Sequence, residues 1–268
     1  MGLSKRINVI KGCVKDGKIL KIKLSLLISF MKRIYCNSIL NEGSTYQLEE
    51  KYYIHLIRVM RLDIGSEIAL FNSNSGEWKA IITKINKKNL TAEVVSKISD
   101  YVIEPNISLL FSPIKNLNSE AIIRQSTELG VKNIFPTFFQ RTVIKKINTD
   151  KFISYSIGAA QQCGRMSIPS IDNYQKLDQR INLLSKSNVL MFDENLKGKS
   201  IQKIDQFNTD DKTEIIVIIG PEGGFEEEER QLICKNSKTF QNVSLGPQIL
   251  KADTAVIAAL SLTFHYFS

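Results

Sequence analysis

The sequence is poor in everything that holds a metal or a phosphate by a familiar motif. It has two histidines, His55 and His265, and four cysteines, Cys13, Cys36, Cys163 and Cys234, with no CxxC pair. A Cys/His zinc centre needs several such ligands at close spacing, so no metal is expected. Scattered single cysteines fit a reducing compartment, and a cytoplasmic location is the expectation. There is no GxxxxGK[ST] and no GxGxxG, so the usual phosphate cradles are missing. No apolar run is long enough to cross a bilayer, and no membrane partner is expected. Internal repeats and low-complexity tracts are absent too.

What charge there is lies unevenly. Residues 1–30 hold seven Lys/Arg against one acid, Asp16, a net +6 that leaves +3 of the total +9 for residues 31–268. That remainder is too modest to establish an RNA partner by itself, though a local basic patch is compatible with it. KILKIKLSLLISF is basic and then apolar, but it is too short to span and lacks a small-residue cleavage site. At Met31 the text restarts as MKRIYCNSIL. Residues 1–30 therefore read as an extension outside the fold, from an upstream start-codon assignment.

Two kinds of pattern follow. YQLEEKYYIHLIRVMRL (46–62) has helical spacing at Tyr53, Leu56, Ile57 and Met60. EIALF, EWKAIIT and LTAEVV come next, separated by Asn/Ser/Gly turns, as in an antiparallel meander or small barrel. Past residue 105 the pattern changes: ISLLFSP, VKNIFPTF, NVLMF, EIIVIIG and NVSLG read as strands that are apolar almost throughout. Helices are expected at SEAIIRQSTEL (ended by Gly130), around 152–163, and at TAVIAALSLTFHYF with Asp253 or Thr254 as its cap. Such alternation predicts an α/β fold with a mostly parallel sheet covered on both faces. The predicted organisation is a small β domain over 31–100 and an α/β domain over 105–268.

In such a sheet, ligands sit beyond the carboxyl ends of the strands. LMFDEN (190–195), IIGPEGGF (218–225) and LGPQILKADTA (245–255) stand at three such ends. The second carries Glu222, which repels phosphate at a few ångströms. A neutral or cationic ligand approached by bare glycine backbone fits better, and S-adenosylmethionine, a sulfonium without phosphate, is such a ligand. The simple alternatives are glycine turns, and an acidic helix start at Glu226 to Glu229 favoured by the helix dipole.

GPEGG followed by a Glu-rich helix start, then LGPQILKADTA, resemble the two signature loops of the RsmE family, 16S ribosomal RNA (uracil-N3)-methyltransferases of the SPOUT superfamily. STELGVKNIFP (126–136), AAQQCGRMSIP (159–169) and HLIRVMRLDIGSEIALF (55–71) match as well. The resemblance runs from about Met31 to the C-terminus. It implies an N-terminal PUA-like RNA-binding β-barrel, a C-terminal SPOUT domain with a trefoil knot, and S-adenosylmethionine as methyl donor. It also implies a homodimer, and 16S rRNA in the small ribosomal subunit as partner. By the resemblance, Leu190, Phe192, Gly220, Glu222, Gly223, Gly224, Leu245, Gly246, Ile249 and Leu250 hold the donor. Arg165 and Lys251 are the cations expected to act on the uracil. Arg58, Arg61, Arg124 and Arg141 are expected on the RNA. The chain departs from the family pattern at Gln125 and Gln248, where cations are common, and at Gln161, where Glu is common. A methyltransferase for another RNA nucleotide, or a non-catalytic RNA-binding assembly factor, are the competing readings.

Overall fold

A computed structural model describes residues 31–267 apart from 115–116, 194–197, 199 and 202–212; the expectation for residues 1–30 lies outside it. The chain divides into two compact units at Tyr101/Val102.

The first unit is a five-stranded sheet in the order β1-β3-β4-β5-β2. The expected meander is β3 (Glu67–Asn72), β4 (Gly76–Ile85) and β5 (Leu90–Ser99), each antiparallel to the next. Two short strands flank it: β1 (Lys32–Tyr35), parallel to β3, and β2 (Thr45–Leu48), antiparallel to β5. β2 corrects the helix expected from residue 46, because pairing from Thr45↔Glu93 to Leu48↔Leu90 outweighs local periodicity. The helix proper starts later, as α1 (Glu50–Tyr53) running into a π-helical segment, Ile54–Val59. It ends at Arg61, whose φ of 58° turns the chain so that the Leu62 amide reaches the Leu56 carbonyl at 2.9 Å. Ile34, Leu48, Leu56, Leu70, Ile82 and Leu90 are fully buried and form this unit's core.

The second unit carries a parallel sheet in the order β12-β10-β11-β6-β7-β8. Its members are β6 (Ile107–Phe111), β7 (Asn133–Phe138), β8 (Ser170–Ile171), β10 (Asn188–Phe192), β11 (Ile215–Ile219) and β12 (Thr239–Val243), while β9 (Gln175–Lys176) pairs with β7. β12 lies about three residues earlier than NVSLG suggested. Every residue of β6 and β10 is buried, which explains why these strands are apolar throughout rather than alternating. The helices are α2 (Leu117–Leu129), α3 (Thr149–Cys163), the one-turn α4 (Ile181–Leu184), α5 (Glu227–Asn236) and α6 (Ala252–Phe267). α6 begins before the expected caps. Asp253 lies in its first turn and accepts from the Thr254 amide, while the Lys251 carbonyl takes the Ala255 amide. No helix among the described residues is long and apolar enough to cross a membrane.

Candidate active site at the carboxyl edge of the parallel sheet

Because the strands are parallel, Phe192, Ile219 and Val243 finish β10, β11 and β12 on one edge, and the loops that follow converge there. They enclose a cavity of about 280 Å³ lined by Phe192, Asp193, Ile219, Gly220, Pro221, Glu222, Gly224, Phe225, Leu245, Gly246, Gln248, Ile249, Leu250, Lys251, Ala252 and Ala255. Eight of the ten expected donor residues line it. The other two stand behind: Leu190 is fully buried in the core, and Gly223 faces the Arg141 side chain.

Glycine is required at two of these positions for different reasons. A Cβ on Gly220 would lie 2.7 Å from the Phe225 ring, which is 3% exposed and packs edge-on against Phe139. Gly246 has φ of 115°, closed to other residues without strain.

The loop after β11 is gripped from outside. Arg141 donates from Nη1 to the Gly223 carbonyl at 2.6 Å and from Nε to Glu226 at 2.7 Å. The next contact is made by Glu229, which is buried. It accepts the Gln140 amide at 2.8 Å and the Glu226 amide at 3.0 Å, completing a capping box at the start of α5. The glutamate run is thus an acidic helix start, with Glu229 also tying α5 to the β7–α3 segment. Arg141, expected on the RNA, makes these contacts to the loop after β11 with its side chain still half exposed.

The charge at the cavity is mixed. Asp193, with its side chain 1% exposed, is paired with Arg230 of α5 at 2.6 Å. Glu222 is exposed, as is Lys251, the one cation among the described lining residues. Asp193 and Pro221 also line the cavity; neither is a donor residue expected from sequence, although LMFDEN and IIGPEGGF contain them. Nothing in the sequence pairs Asp193 with Arg230, 37 residues away.

Arg165 has a different setting from the one expected. It is 9% exposed and forms a two-pronged ion pair with Glu104, at 2.8 and 2.6 Å. It also donates to the Thr127 and Val131 carbonyls, each at 2.8 Å, and to Ser167 Oγ. It is absent from the cavity lining. Its guanidinium is spent fastening the chain before β6 to the end of α2 and to the segment after α3. Glu128, nearby on α2, faces Arg124 at 3.8 Å on the exposed side of the helix. Arg58 and Arg61 are exposed at the π-helical segment of the first unit.

The chain matches two family models, an RNA methyltransferase domain over residues 103–263 and an RNA methyltransferase PUA domain over residues 53–95. It is 30% identical over 231 residues to ribosomal RNA small subunit methyltransferase E of Rickettsia conorii, covering 85% of this chain and 93% of that one. Among solved structures, ribosomal RNA small subunit methyltransferase E from Neisseria gonorrhoeae bound to S-adenosyl methionine is similar, with TM-score 0.78 and 26% identity. That match covers 88% of this chain and 98% of the other. A putative methyltransferase from Legionella pneumophila with bound SAM is similar at TM-score 0.76 and 29% identity, over 88% and 97% of the two chains. A parallel sheet with this loop-built cavity and matches spanning both units place the chain in one family: it belongs to the RNA methyltransferases whose members are named ribosomal RNA small subunit methyltransferase E.

Proposed function

We propose that this protein transfers a methyl group from S-adenosylmethionine to N3 of a uridine in 16S ribosomal RNA. The observation that carries the reading is the cavity itself. Among the described lining residues, the walls are mostly bare glycine backbone and apolar side chains, the carboxylates are Asp193 and Glu222, and the loops carry no phosphate-cradle motif. An adenosyl group needs apolar walls and backbone hydrogen bonds, and a sulfonium is attracted by carboxylates. These residues fit that donor. Phe192, Gly220, Gly224, Leu245, Gly246, Ile249 and Leu250 hold it, with Leu190 and Gly223 supporting from behind. The bound donor supplies an electrophilic methyl group. The chain's own task lies with the uracil, whose neutral N3–H is a poor nucleophile. The N3 proton passes to the Glu222 carboxylate, and the Lys251 ammonium stabilises the charge that develops on the uracil oxygens. Arg165 contributes only by holding α2 and the segment after α3 in place.

Arg58, Arg61 and Arg124, all exposed, contact RNA phosphates in this reading. Residues 31–100 serve as the RNA-binding domain and 105–268 as the methyltransferase domain, with the family's trefoil knot. The protein works in the cytoplasm as a homodimer on the small ribosomal subunit. Ile249, 75% exposed beside the cavity, supports an assembly that covers this edge.

Titration with S-adenosylmethionine in a calorimeter gives saturable one-site binding. Nucleosides of 16S RNA from cells lacking the gene lose 3-methyluridine, and purified protein restores it. Absence of donor binding, or persistence of 3-methyluridine in those cells, overturns the assignment.

A further inference from the structure

A second cavity, of about 310 Å³, opens in the same unit where the chain leaves β6 and enters α3. Ile114, three residues past the end of β6, contributes to it, so it lies on the same carboxyl edge as the donor cavity. β6 and β11 are neighbours in the sheet, and the Ser112 amide continues their pairing onto the Ile219 carbonyl at 3.2 Å. The floor is apolar: Ile114, Ile147, Phe152 and the Tyr155 ring. The rim carries Lys146 and Lys151, and among the described residues no carboxylate lies within ion-pair reach of either.

We propose that this cavity is a second RNA subsite, seating a nucleotide that flanks the reacting uridine. The inference rests on the methyltransferase reading and names how that site engages its substrate. A planar base suits the apolar floor, stacked on Tyr155, whose ring already has the Lys151 ammonium over it at 5.8 Å. A phosphate suits the rim, where two lysines meet the amino end of α3. That end is capped by Asn148, which accepts the Lys151 amide at 3.0 Å. Glu120 is the one acid among the described residues that line the cavity; being an acceptor, it suits a ribose hydroxyl and not a phosphate.

One segment joins the two cavities. Gln140 and Arg141 hold the donor loop and α5, Thr142 Oγ1 meets Ser112 Oγ at 2.9 Å, and Lys146 to Asn148 reach the second cavity. A nucleotide seated there steadies the segment that steadies the donor loop, so RNA and donor binding favour one another.

The test uses the full chain and a 16S RNA transcript. Direct binding is measured by filter retention across a salt series, and methyl transfer by labelled donor. Lys146→Ala/Lys151→Ala weakens RNA binding about tenfold and lowers the log-affinity against log-salt slope by about two, while donor affinity in the absence of RNA stays within twofold. Tyr155→Ala weakens RNA binding about tenfold and Tyr155→Phe does not, because the phenyl face still stacks. Far-UV dichroism verifies that each variant is folded, and Tyr155→Phe serves as the conservative control. RNA affinity and salt slope equal to wild type in the double lysine variant overturn the subsite. A wild-type protein that methylates neither the transcript nor small ribosomal subunits from cells lacking the gene overturns the functional reading instead.

Discussion

Arg165 shows what a single side chain can be committed to. A buried guanidinium is tolerable only when its N–H groups are satisfied, and here two carboxylate oxygens, two carbonyls and a hydroxyl do so. Arg165→Ala leaves Glu104, 20% exposed at its side chain, without a counter-charge, and is expected to cost about 3 kcal/mol in urea unfolding. Arg165→Lys recovers little, since an ammonium cannot reproduce the two-pronged geometry. Donor affinity of the folded fraction stays near wild type, the readout that separates a fastening role from a catalytic one. Arg141 makes the opposite prediction. Its contacts hold the Gly223 carbonyl and Glu226, so Arg141→Ala raises the KM for the donor about tenfold while kcat at saturating donor changes by less than about threefold. Neither role was legible in the sequence. Glu104 lies 61 residues from Arg165, and Gly223 lies 82 from Arg141, and no local pattern encodes such pairings. The glycine loops were legible because Gly and Pro directly after apolar strands are local signals of a carboxyl-edge turn.

At the level of elements, the long apolar strands and helices of the second unit were readable because burial on both faces leaves a continuous pattern. β1, β2, β8 and β9, of two to four residues each, carry too few positions for any period, and only long-range pairing defines them. The segment between β7 and α3 is the element that matters most for the site, and one of its supports titrates. Tyr174 donates its hydroxyl to the Ile144 carbonyl at 2.6 Å, and burial pushes its pKa from 10.0 up to about 12. The folded chain therefore holds this proton more tightly than the unfolded chain. The associated stability is fully present below pH 10 and is lost as pH rises through about 12. Urea midpoints taken from pH 8 to 12 are expected to fall over that window, and more steeply for wild type than for Tyr174→Phe. The variant starts lower, lacking the hydrogen bond, and the two curves draw together at the alkaline end. Parallel curves would show that Tyr174 does not titrate with the fold.

For the molecule as a whole, the distribution of reporters allows the two units to be followed separately. Trp78, the chain's one tryptophan, stands in β4 with its indole N–H on the Ser75 carbonyl at 2.8 Å, so fluorescence reads the first unit. Among the described residues, the helices of ten or more residues, α2, α3, α5 and α6, all belong to the second, so helical ellipticity reads that one. The described lining of the cavity proposed for the donor lies wholly within the second unit. A ligand that binds only the folded form stabilises it by about 2.7 kcal/mol at a hundred times its Kd. With S-adenosylmethionine at that excess, the ellipticity transition is expected to rise by about 5–10 °C, given a shift of roughly 2–4 °C per kcal/mol for domains of this size. The Trp78 fluorescence transition should stay within about 1 °C, because the first unit has its own buried core of Ile34, Leu48, Leu56, Leu70, Ile82 and Leu90. Equal shifts of both signals would mean that the units unfold as one cooperative body, and the expectation of separate stabilities would fall.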